Sequence, residues 1–354
     1  MKLTRRAALG ATAALAAPSI VAAQTMVNLT IAASHPTTIS WIWALQNALM
    51  PTVNKELENT RFRIRWREAF GGTLYKFNET RSAVRDGLTD VGWVGTLWEG
   101  SAMPLQNITY FTPFATDDLR KQTTLMDEMT NTMPEMNKAW DENSMVYLGG
   151  SGTETYQLWT TFPVRTLEDL RNRRINAPGV SAAWLRGTGA VPVDGALTTY
   201  FTDIQTGVSE GCLSFASGLY PVRVHELAKN ITIVNVGCMY VGGVAVNSGV
   251  WRRLAPEVQA ALKAGGRAYT AALNDRVLAS AETNLRLMQE AGCTVSTLPA
   301  AERQKWISGL PDIAGDWAKA TEARGQPARK ILAAYMDGLR KVGETPSRAW
   351  DQVG

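Results

Sequence analysis

In the N-terminal part of the chain, segments with the two-residue hydrophobic repeat of a strand or a short apolar run are separated by segments with helical spacing. This pattern predicts strands separated by helices. Residues 61–66 alternate strictly between apolar and arginine side chains, which is the pattern of a half-buried strand. Residues 27–33 and 90–94 are further apolar segments of strand length, and helical spacing is found between the strands, over 41–49 and 77–88. This order predicts the start of a doubly wound α/β lobe.

A second series of strands and helices, over residues 165–211, predicts a second α/β layer. A strand is predicted at 174–177 and a helix at 197–205, followed by another strand that starts near Gly211. In layers of this kind, ligands bind at the carboxyl ends of the strands. We therefore expect ligand contacts from residues that follow Ile175 and Gly211.

Three further segments connect the two predicted lobes. Residues 145–150 and 157–160 are interpreted as strands that cross from one lobe to the other. Residues 256–288 have apolar side chains near one face over their whole length, which predicts one long helix. The predicted boundaries are residues 24–152 with 238–270 for lobe I, and 153–237 with 271–354 for lobe II and the C-terminal helices.

The first 23 residues have the pattern of an export signal and not of a folded element. Lys2, Arg5 and Arg6 precede an apolar run, and small residues at 21–23 form a cleavage site. The paired arginines resemble a twin-arginine signal, and an ordinary secretory signal with two arginines is the alternative. No later apolar run is long enough to span a membrane, so we expect an exported, periplasmic protein.

Charge and motif content exclude several classes of function. Removing the signal takes three of the 36 basic residues away, which leaves them nearly balanced by 32 acidic ones. No basic stripe with interleaved aromatic residues occurs, so nucleic acid is not an expected partner. The two histidines lack metal-ligand spacing, and no phosphate loop, nucleophile elbow or dinucleotide fingerprint occurs. We expect no cofactor, no metal and no catalysis.

The three cysteines leave two interpretations open. Cys212 and Cys238 could pair in an oxidising compartment, whereas Cys293 would then remain unpaired. The alternative is that all three are small buried side chains.

Four segments resemble, in order, the solute-binding subunits of TRAP (tripartite ATP-independent periplasmic) transporters of the DctP type. The segments are FGGTLYKFNETRSAVRDGLTDVGWV, LEDLRNRRINAPG with DIQTGVSEG, VRVHELAKNITI and VAVNSGVWRRLAPEVQAAL. The resemblance implies two α/β lobes of the type II periplasmic binding protein class, joined by a hinge and a long lobe-spanning helix. It further implies a monomer that captures a small organic molecule, an organic acid by family default, and delivers it to a membrane permease.

This chain departs from the family at the residues that hold a substrate carboxylate. In the family an arginine in the strand before the proline-glycine pair does this, and here Asn176 stands in its place. Thr155 stands at about the position of a second arginine, and Ser214 near that of an asparagine. Arg174 is expected on the same strand face as Asn176. The ligand is then either an acid held by a displaced cation such as Arg174, or a neutral, zwitterionic or aromatic molecule.

Aromatic residues near predicted strand ends form a second group of candidates. Such side chains stack on planar rings or hold quaternary ammonium groups, and core packing is the alternative for each of them. The group comprises Trp93, Trp159, Trp41, Trp184 and Tyr240, with His35 after the first strand. Glu154 and Tyr156 could join the same pocket.

Two other functions remain open on the sequence alone. An exported enzyme could use an α/β scaffold of the same kind, and a binding protein could serve a sensor kinase instead of a permease. Recovery of an unchanged ligand from the protein would favour a binding protein over an enzyme.

Overall fold

The computed structural model describes residues 24–352, which form two β-sheets surrounded by helices. This arrangement confirms an α/β protein with two lobes. The predicted signal, residues 1–23, lies outside the described residues. Over residues 24–352, no helix is long and apolar enough to cross a bilayer.

The strands and α-helices alternate along most of the described chain. The strands are β1 (Thr25–Ala32), β2 (Phe62–Ala69), β3 (Val91–Val94), β4 (Met145–Thr153), β5 (Gln157–Thr160), β6 (Arg174–Asn176), β7 (Val191–Val193), β8 (Gly211–Ser214), β9 (Asn230–Ile233), β10 (Met239–Asn247) and β11 (Thr294–Thr297). The α-helices are α1 (Ser40–Ala44), α2 (Met50–Glu56), α3 (Thr80–Arg85), α4 (Ile108–Phe111), α5 (Leu119–Thr132), α6 (Pro134–Asp141), α7 (Leu197–Gln205), α8 (Ala216–Leu219), α9 (Ser248–Trp251), α10 (Pro256–Glu290), α11 (Ala300–Gly309), α12 (Ile313–Glu322) and α13 (Ala328–Lys341). A π-helical segment, Leu45–Leu49, joins α1 to α2.

The first sheet is the centre of lobe I, with strand order β2-β1-β3-β10-β4. β1 pairs in parallel with β2 and β3, whereas β10 returns antiparallel between β3 and β4. β3 is buried along its whole length because it is an interior strand of the sheet. The short apolar run at 90–94 therefore has the burial that its composition indicates.

The second sheet is the centre of lobe II, with strand order β11-β9-β5-β8-β6-β7. β6 pairs in parallel with β7 and β8, and β5 is antiparallel to both β8 and β9. The helix predicted at 197–205 is confirmed as α7 with the same bounds. A 3-10 helix, Gly179–Leu185, begins shortly after β6 and contains Trp184.

The crossing strands predicted at 145–150 and 157–160 require correction. β4 belongs to the first sheet and β5 to the second, so neither strand spans the two lobes. The chain crosses at residues 154–156 and again between β9 and β10. Pairing partners are distant in sequence, and a local pattern therefore does not show to which sheet a strand belongs.

The long helix predicted at 256–288 is confirmed as α10, which extends to Glu290 and contacts both lobes. It packs on β4, α1 and α2 of lobe I and also touches α8 of lobe II. Gly266 of the helix and Gly149 of β4 permit this packing. A Cβ atom added to either glycine would overlap the backbone of the opposite element.

The C-terminal helices pack against different parts of the molecule. Trp306 of α11 donates its indole N–H to the carbonyl oxygen of Trp184 at 2.8 Å, on the side of lobe II. By contrast, α13 packs on α5, which itself covers β4 of lobe I. The residue boundaries of the two lobes stay a prediction.

The three cysteines are buried and unpaired, so Cys212 and Cys238 do not form a disulfide. Cys212 lies in β8, and burial raises its pKa well above the usual range of a thiol. These side chains fill core space as small apolar groups.

Candidate functional site

A cavity lies between the lobes, at the edge where strands of both sheets end. Its free volume is about 20 Å³, enough for about one water molecule. Lobe I and lobe II both contribute to the wall, and Tyr156 of the crossing segment completes it. The lining residues are His35, Trp41, Trp93, Leu97, Trp98, Tyr156, Pro178, Ala196, Leu197, Tyr200, Ser214, Phe215 and Val241.

The strand ends explain how these side chains meet. His35 follows β1, Trp93 lies in β3, and Trp98 closes the short 3-10 turn after β3. On the opposite side, Ser214 is the last residue of β8 and Phe215 comes directly after it. Both groups lie where the strand order predicts a ligand site.

Aromatic rings form most of the cavity wall. The ring centroids of Trp41 and Trp93 are 5.4 Å apart with planes at 24°, and those of His35 and Trp98 are 6.1 Å apart with planes at 20°. His35 stands nearly at right angles to Trp93, with centroids 5.7 Å apart. Phe215 reaches Trp41 from lobe II at 6.0 Å. The rings therefore form a continuous cluster across the two lobes.

The polar atoms of this wall are few. The Nδ1 atom of His35 and the Ser34 hydroxyl are 2.9 Å apart, and Trp93 donates its indole N–H to the Ser151 hydroxyl at 2.8 Å. His35 Nε2 and Trp41 Nε1 are buried without a partner among the described residues. Burial lowers the pKa of His35 to about 4, so the ring is neutral near pH 7. These two nitrogens are unpaired polar atoms of residues that line the cavity.

No lysine, arginine, aspartate or glutamate of the described chain lines the cavity. One carboxylate lies close behind the wall. Glu154, two residues before Tyr156, accepts hydrogen bonds from the Ser217 backbone N–H at 2.6 Å and from its hydroxyl at 2.7 Å. Burial raises the pKa of Glu154 to about 7, despite these two hydrogen bonds.

Four of the predicted site residues, His35, Trp41, Trp93 and Ser214, are brought together here, and Tyr156, a further candidate, lies with them. The structure does not place Asn176 with them. Its side chain is fully buried within lobe II, where it donates to Asp203 at 3.1 Å and accepts from the Ser209 hydroxyl at 2.5 Å. The amide nitrogen and the amide oxygen of Asn176 therefore both hold β6 to the segment around α7.

Thr155 and Arg174 also lie away from the cavity wall. The Thr155 hydroxyl accepts from the Gly237 backbone N–H at 2.9 Å and links the two crossing segments of the chain. The Arg174 side chain is half exposed, with its Nε atom 3.8 Å from a Glu210 carboxylate oxygen. Arg174 is the first residue of β6 and therefore lies at the amino end of the strand, opposite the cavity.

Trp159, Trp184 and Tyr240 are packed in the interior of the molecule. Trp159 directs its indole N–H to the Met288 sulfur at 3.4 Å, and Trp184 donates to the carbonyl oxygen of Tyr110 at 2.5 Å. Tyr240 is fully buried within the first sheet. For these three, the structure shows the core packing that was the alternative to ligand contact.

Trp98, Tyr200 and Phe215 line the cavity and were not among the predicted residues. The strand-end rule points to Phe215, because it follows β8 directly, and to Trp98 through its turn after β3. Tyr200 gives no such signal, since it lies on α7 and reaches the cavity only through the packing of that helix on the second sheet.

A larger depression, of about 570 Å³, is open to solvent and includes Asp117, Arg303 and Glu344. Glu344 pairs with Lys121 at 2.5 Å and accepts from the Thr116 hydroxyl at 2.7 Å. Because this depression is a wide surface feature, whereas the aromatic cavity lies at the strand ends, we assign the candidate site to the aromatic cavity.

Two α/β lobes that enclose a lined cavity define a receptor-like architecture, and comparison with known proteins gives the family. The model for "bacterial extracellular solute-binding protein, family 7", the DctP family, matches residues 44–319. The chain belongs to this family, which confirms the resemblance in the sequence.

The curated relatives support the same family over part of their length. The chain is 29% identical over 163 residues to the C4-dicarboxylate-binding periplasmic protein DctP of Rhodobacter capsulatus, covering 46% of this chain and 48% of that protein. It is 25% identical over 175 residues to the protein of the same name from Shewanella loihica, covering 48% and 50%. The chain thus spans about half the length of the curated relatives it matches.

Solved structures share the fold at low identity. DctP7 of Bordetella pertussis, a receptor binding pyroglutamic acid, matches with a TM-score of 0.76 and 20% identity, covering 87% of this chain and 99% of that one. A marine metagenome TRAP solute-binding protein, specific for aromatic acid ligands and in complex with metahydroxyphenylacetate, matches with a TM-score of 0.79 and 17% identity, covering 90% and 99%. These likenesses confirm the two-lobe, type II fold.

Proposed function

We propose that this chain is the extracytoplasmic solute receptor of a TRAP transporter and that it encloses a small organic molecule in the aromatic cavity. The observation that carries the proposal is that both lobes and the crossing segment supply walls of one cavity. A ligand held there favours the closed arrangement through contacts that the separated lobes cannot make. Membrane permease subunits then recognise the closed monomer.

The proposed ligand contacts are the four predicted residues that line the cavity, His35, Trp41, Trp93 and Ser214, with Trp98 beside them. His35 Nε2 and Trp41 Nε1 supply directed hydrogen bonds, and the rings cover the apolar part of the ligand. Asn176, Thr155, Arg174, Trp159, Trp184 and Tyr240 act by holding the lobes in shape.

The ligand class differs in this proposal from that of the curated relatives. Those proteins bind C4-dicarboxylates, and two buried carboxylates need cationic partners. The cavity wall holds no cation within the described residues, since burial keeps His35 neutral. A dicarboxylate therefore does not fit this site, whereas a molecule with a substantial apolar or aromatic part does.

Ligand recovery tests receptor function against the enzyme alternative. Protein purified from the periplasm is denatured, and the released small molecules are identified by mass spectrometry. We expect one compound at near-stoichiometric amount, which rebinds unchanged to refolded protein and stabilises it by about 2.7 kcal/mol at 100 times its Kd. Release of a product that differs from the molecule supplied would favour an enzyme instead.

Export and partner choice need their own measurements. We propose a twin-arginine signal in residues 1–23, and the mature periplasmic chain should begin near Gln24 by mass spectrometry. Uptake of the recovered ligand should require both this receptor and its permease. If uptake persists without the receptor while a sensor kinase loses its response, the chain serves the sensor.

A further inference from the structure

The aromatic rings of the cavity form the sides of a box. His35 lies at 70° to Trp41 and at 86° to Trp93, and Trp93 lies at 80° to Trp98. The pairs that are nearly parallel are in contact with each other and leave no slot for a flat ring between them. Walls at right angles present several ring faces to a rounded group, and ring faces carry negative potential.

A carboxylate without a cationic partner lies next to this box. Glu154 is 8% exposed, and no lysine, arginine or histidine of the described chain comes within salt-bridge distance of it. It is held by Ser217, two residues beyond the wall residue Phe215, and it lies two residues before the wall residue Tyr156. Its charge also raises the pKa of the Tyr156 phenol, an effect added to that of burial.

We infer that the cavity binds an organic cation, with a quaternary ammonium head group inside the ring box and Glu154 as its counter-charge. This inference rests on the proposed function and names its ligand class. Buried charges are retained where they are paired, and a bound cation supplies the partner that Glu154 lacks. A carboxylate ligand would instead be repelled both by the negative potential of the ring faces and by the negative charge of Glu154.

The size of the cavity requires that the lobes admit this ligand by separating. The closed volume of about 20 Å³ is smaller than a trimethylammonium group. Trp41 and Trp93 belong to lobe I, whereas Phe215 belongs to lobe II, so separation of the lobes opens the box. With the ligand inside, closure ends before the lobes reach the arrangement described here, and Phe215 and the Glu154 region meet the ligand from lobe II.

Calorimetry with a matched pair of probes separates charge from shape. Choline and 3,3-dimethylbutan-1-ol have the same outline, but only choline carries the positive charge. We expect wild-type protein to bind choline at least about tenfold more tightly than the neutral alcohol. This comparison uses the unmodified protein, so it does not depend on the folding of a variant.

The Glu154→Gln variant tests the counter-charge, because glutamine keeps an acceptor for Ser217 and removes the charge. We expect choline affinity to fall about tenfold while the affinity for the neutral alcohol stays within about twofold. Asp127→Asn is the matched control, since Asp127 is a partly buried carboxylate of lobe I that is hydrogen-bonded to Tyr147. It should leave the ratio of the two affinities unchanged.

The outcomes distinguish this inference from the proposed function. Equal affinities for the two probes, or an unchanged ratio in Glu154→Gln, would overturn the cation and leave the receptor in place. Tighter binding of benzoate or pyroglutamate than of choline would likewise overturn the cation and leave the receptor function in place. If no solute co-purifies with the protein and no probe of any class binds, the receptor function itself fails.

Discussion

At the scale of single residues, Asn176 and the residues of the cavity wall differ in what their side chains contact. Asn176 replaces a family arginine, yet the structure gives it two partners inside lobe II, Asp203 and Ser209. His35 and Trp93 were identified by their position after or at the end of a strand, and that position is what brings them to the cavity. The direction of a side chain at a strand end depends on its tertiary partners, which the local pattern does not contain.

Replacing Asn176 should therefore reduce stability and spare ligand binding. Asn176→Ala leaves a partly buried carboxylate and a buried hydroxyl with fewer partners, and we expect a loss of about 1–3 kcal/mol in the free energy of unfolding. Urea unfolding and calorimetry with the recovered ligand measure the two effects. The exposed Asn131→Ala is the control for each. A variant that keeps its stability and loses ligand affinity would assign Asn176 to the site.

The buried carboxyl of Glu154 should make stability depend on pH in a defined direction. Its pKa is raised from 4.5 to about 7, so the folded state holds the proton more tightly than the unfolded state. The resulting stabilisation is complete below pH 4.5 and is lost as the pH rises to 7. Wild type should thus lose on the order of 3 kcal/mol over this interval relative to Glu154→Gln.

Urea unfolding of both proteins between pH 4.5 and 8 measures this difference directly. Contributions from other groups, including His35 and Asp127, are common to both proteins and cancel in the comparison. The exposed Glu290→Gln should follow the wild-type curve, because surface ion pairs contribute little. Parallel curves for wild type and Glu154→Gln would show that the carboxyl is not desolvated.

At the scale of elements, regular segments were predictable where the pattern was long or strictly periodic. α10 was predicted within two residues, because its apolar side chains repeat at helical spacing over many turns. The crossing strands were assigned wrongly, since β4 pairs with β10, which lies far away in sequence. The 3-10 helix at Gly179–Leu185 is short, and a weak local preference does not separate it from an α-helix.

Because α10 packs closely on β4, replacing Gly266 of α10 by alanine should lower stability, although helix propensity alone would predict an increase. An exposed Gly→Ala change within a helix usually stabilises by about 0.8–1 kcal/mol. Gly266→Ala would place its methyl group against the Leu148 carbonyl, so we expect a destabilisation of about 1–3 kcal/mol instead. Gly309→Ala, where the added Cβ meets nothing within 4 Å, should be neutral or stabilising. Thermal unfolding of both variants decides the sign.

At the scale of the whole molecule, the order of the family segments implied the two lobes, whereas the chemistry of the site required the folded chain. The box of rings draws His35, Trp93 and Phe215 from segments that are far apart in sequence. Each of them looks like an ordinary core residue until both lobes are in place. The absence of cations from the wall is likewise a property of the assembled cavity.

Closure of the two lobes can be tested with a disulfide across their contact. A Cβ atom added to Gly100, which follows β3 in lobe I, would lie 2.9 Å from a side-chain carbon of Val180 in lobe II. Cysteines at both positions are therefore close enough to bond. We expect Gly100→Cys with Val180→Cys, oxidised without ligand, to lose binding of the recovered ligand, and reduction to restore it. The native cysteines are buried and should stay unreactive.

The order of oxidation and ligand addition gives the sharper result. Protein oxidised after ligand addition should retain the ligand through gel filtration, because the closed lobes leave no path out of the cavity. The Val180→Cys single variant, treated with the same oxidant, should bind and release as wild type does. If the cross-linked, ligand-free protein takes up ligand at the wild-type rate, the cavity fills without separation of the lobes. The closure on which the proposed receptor function depends would then be absent.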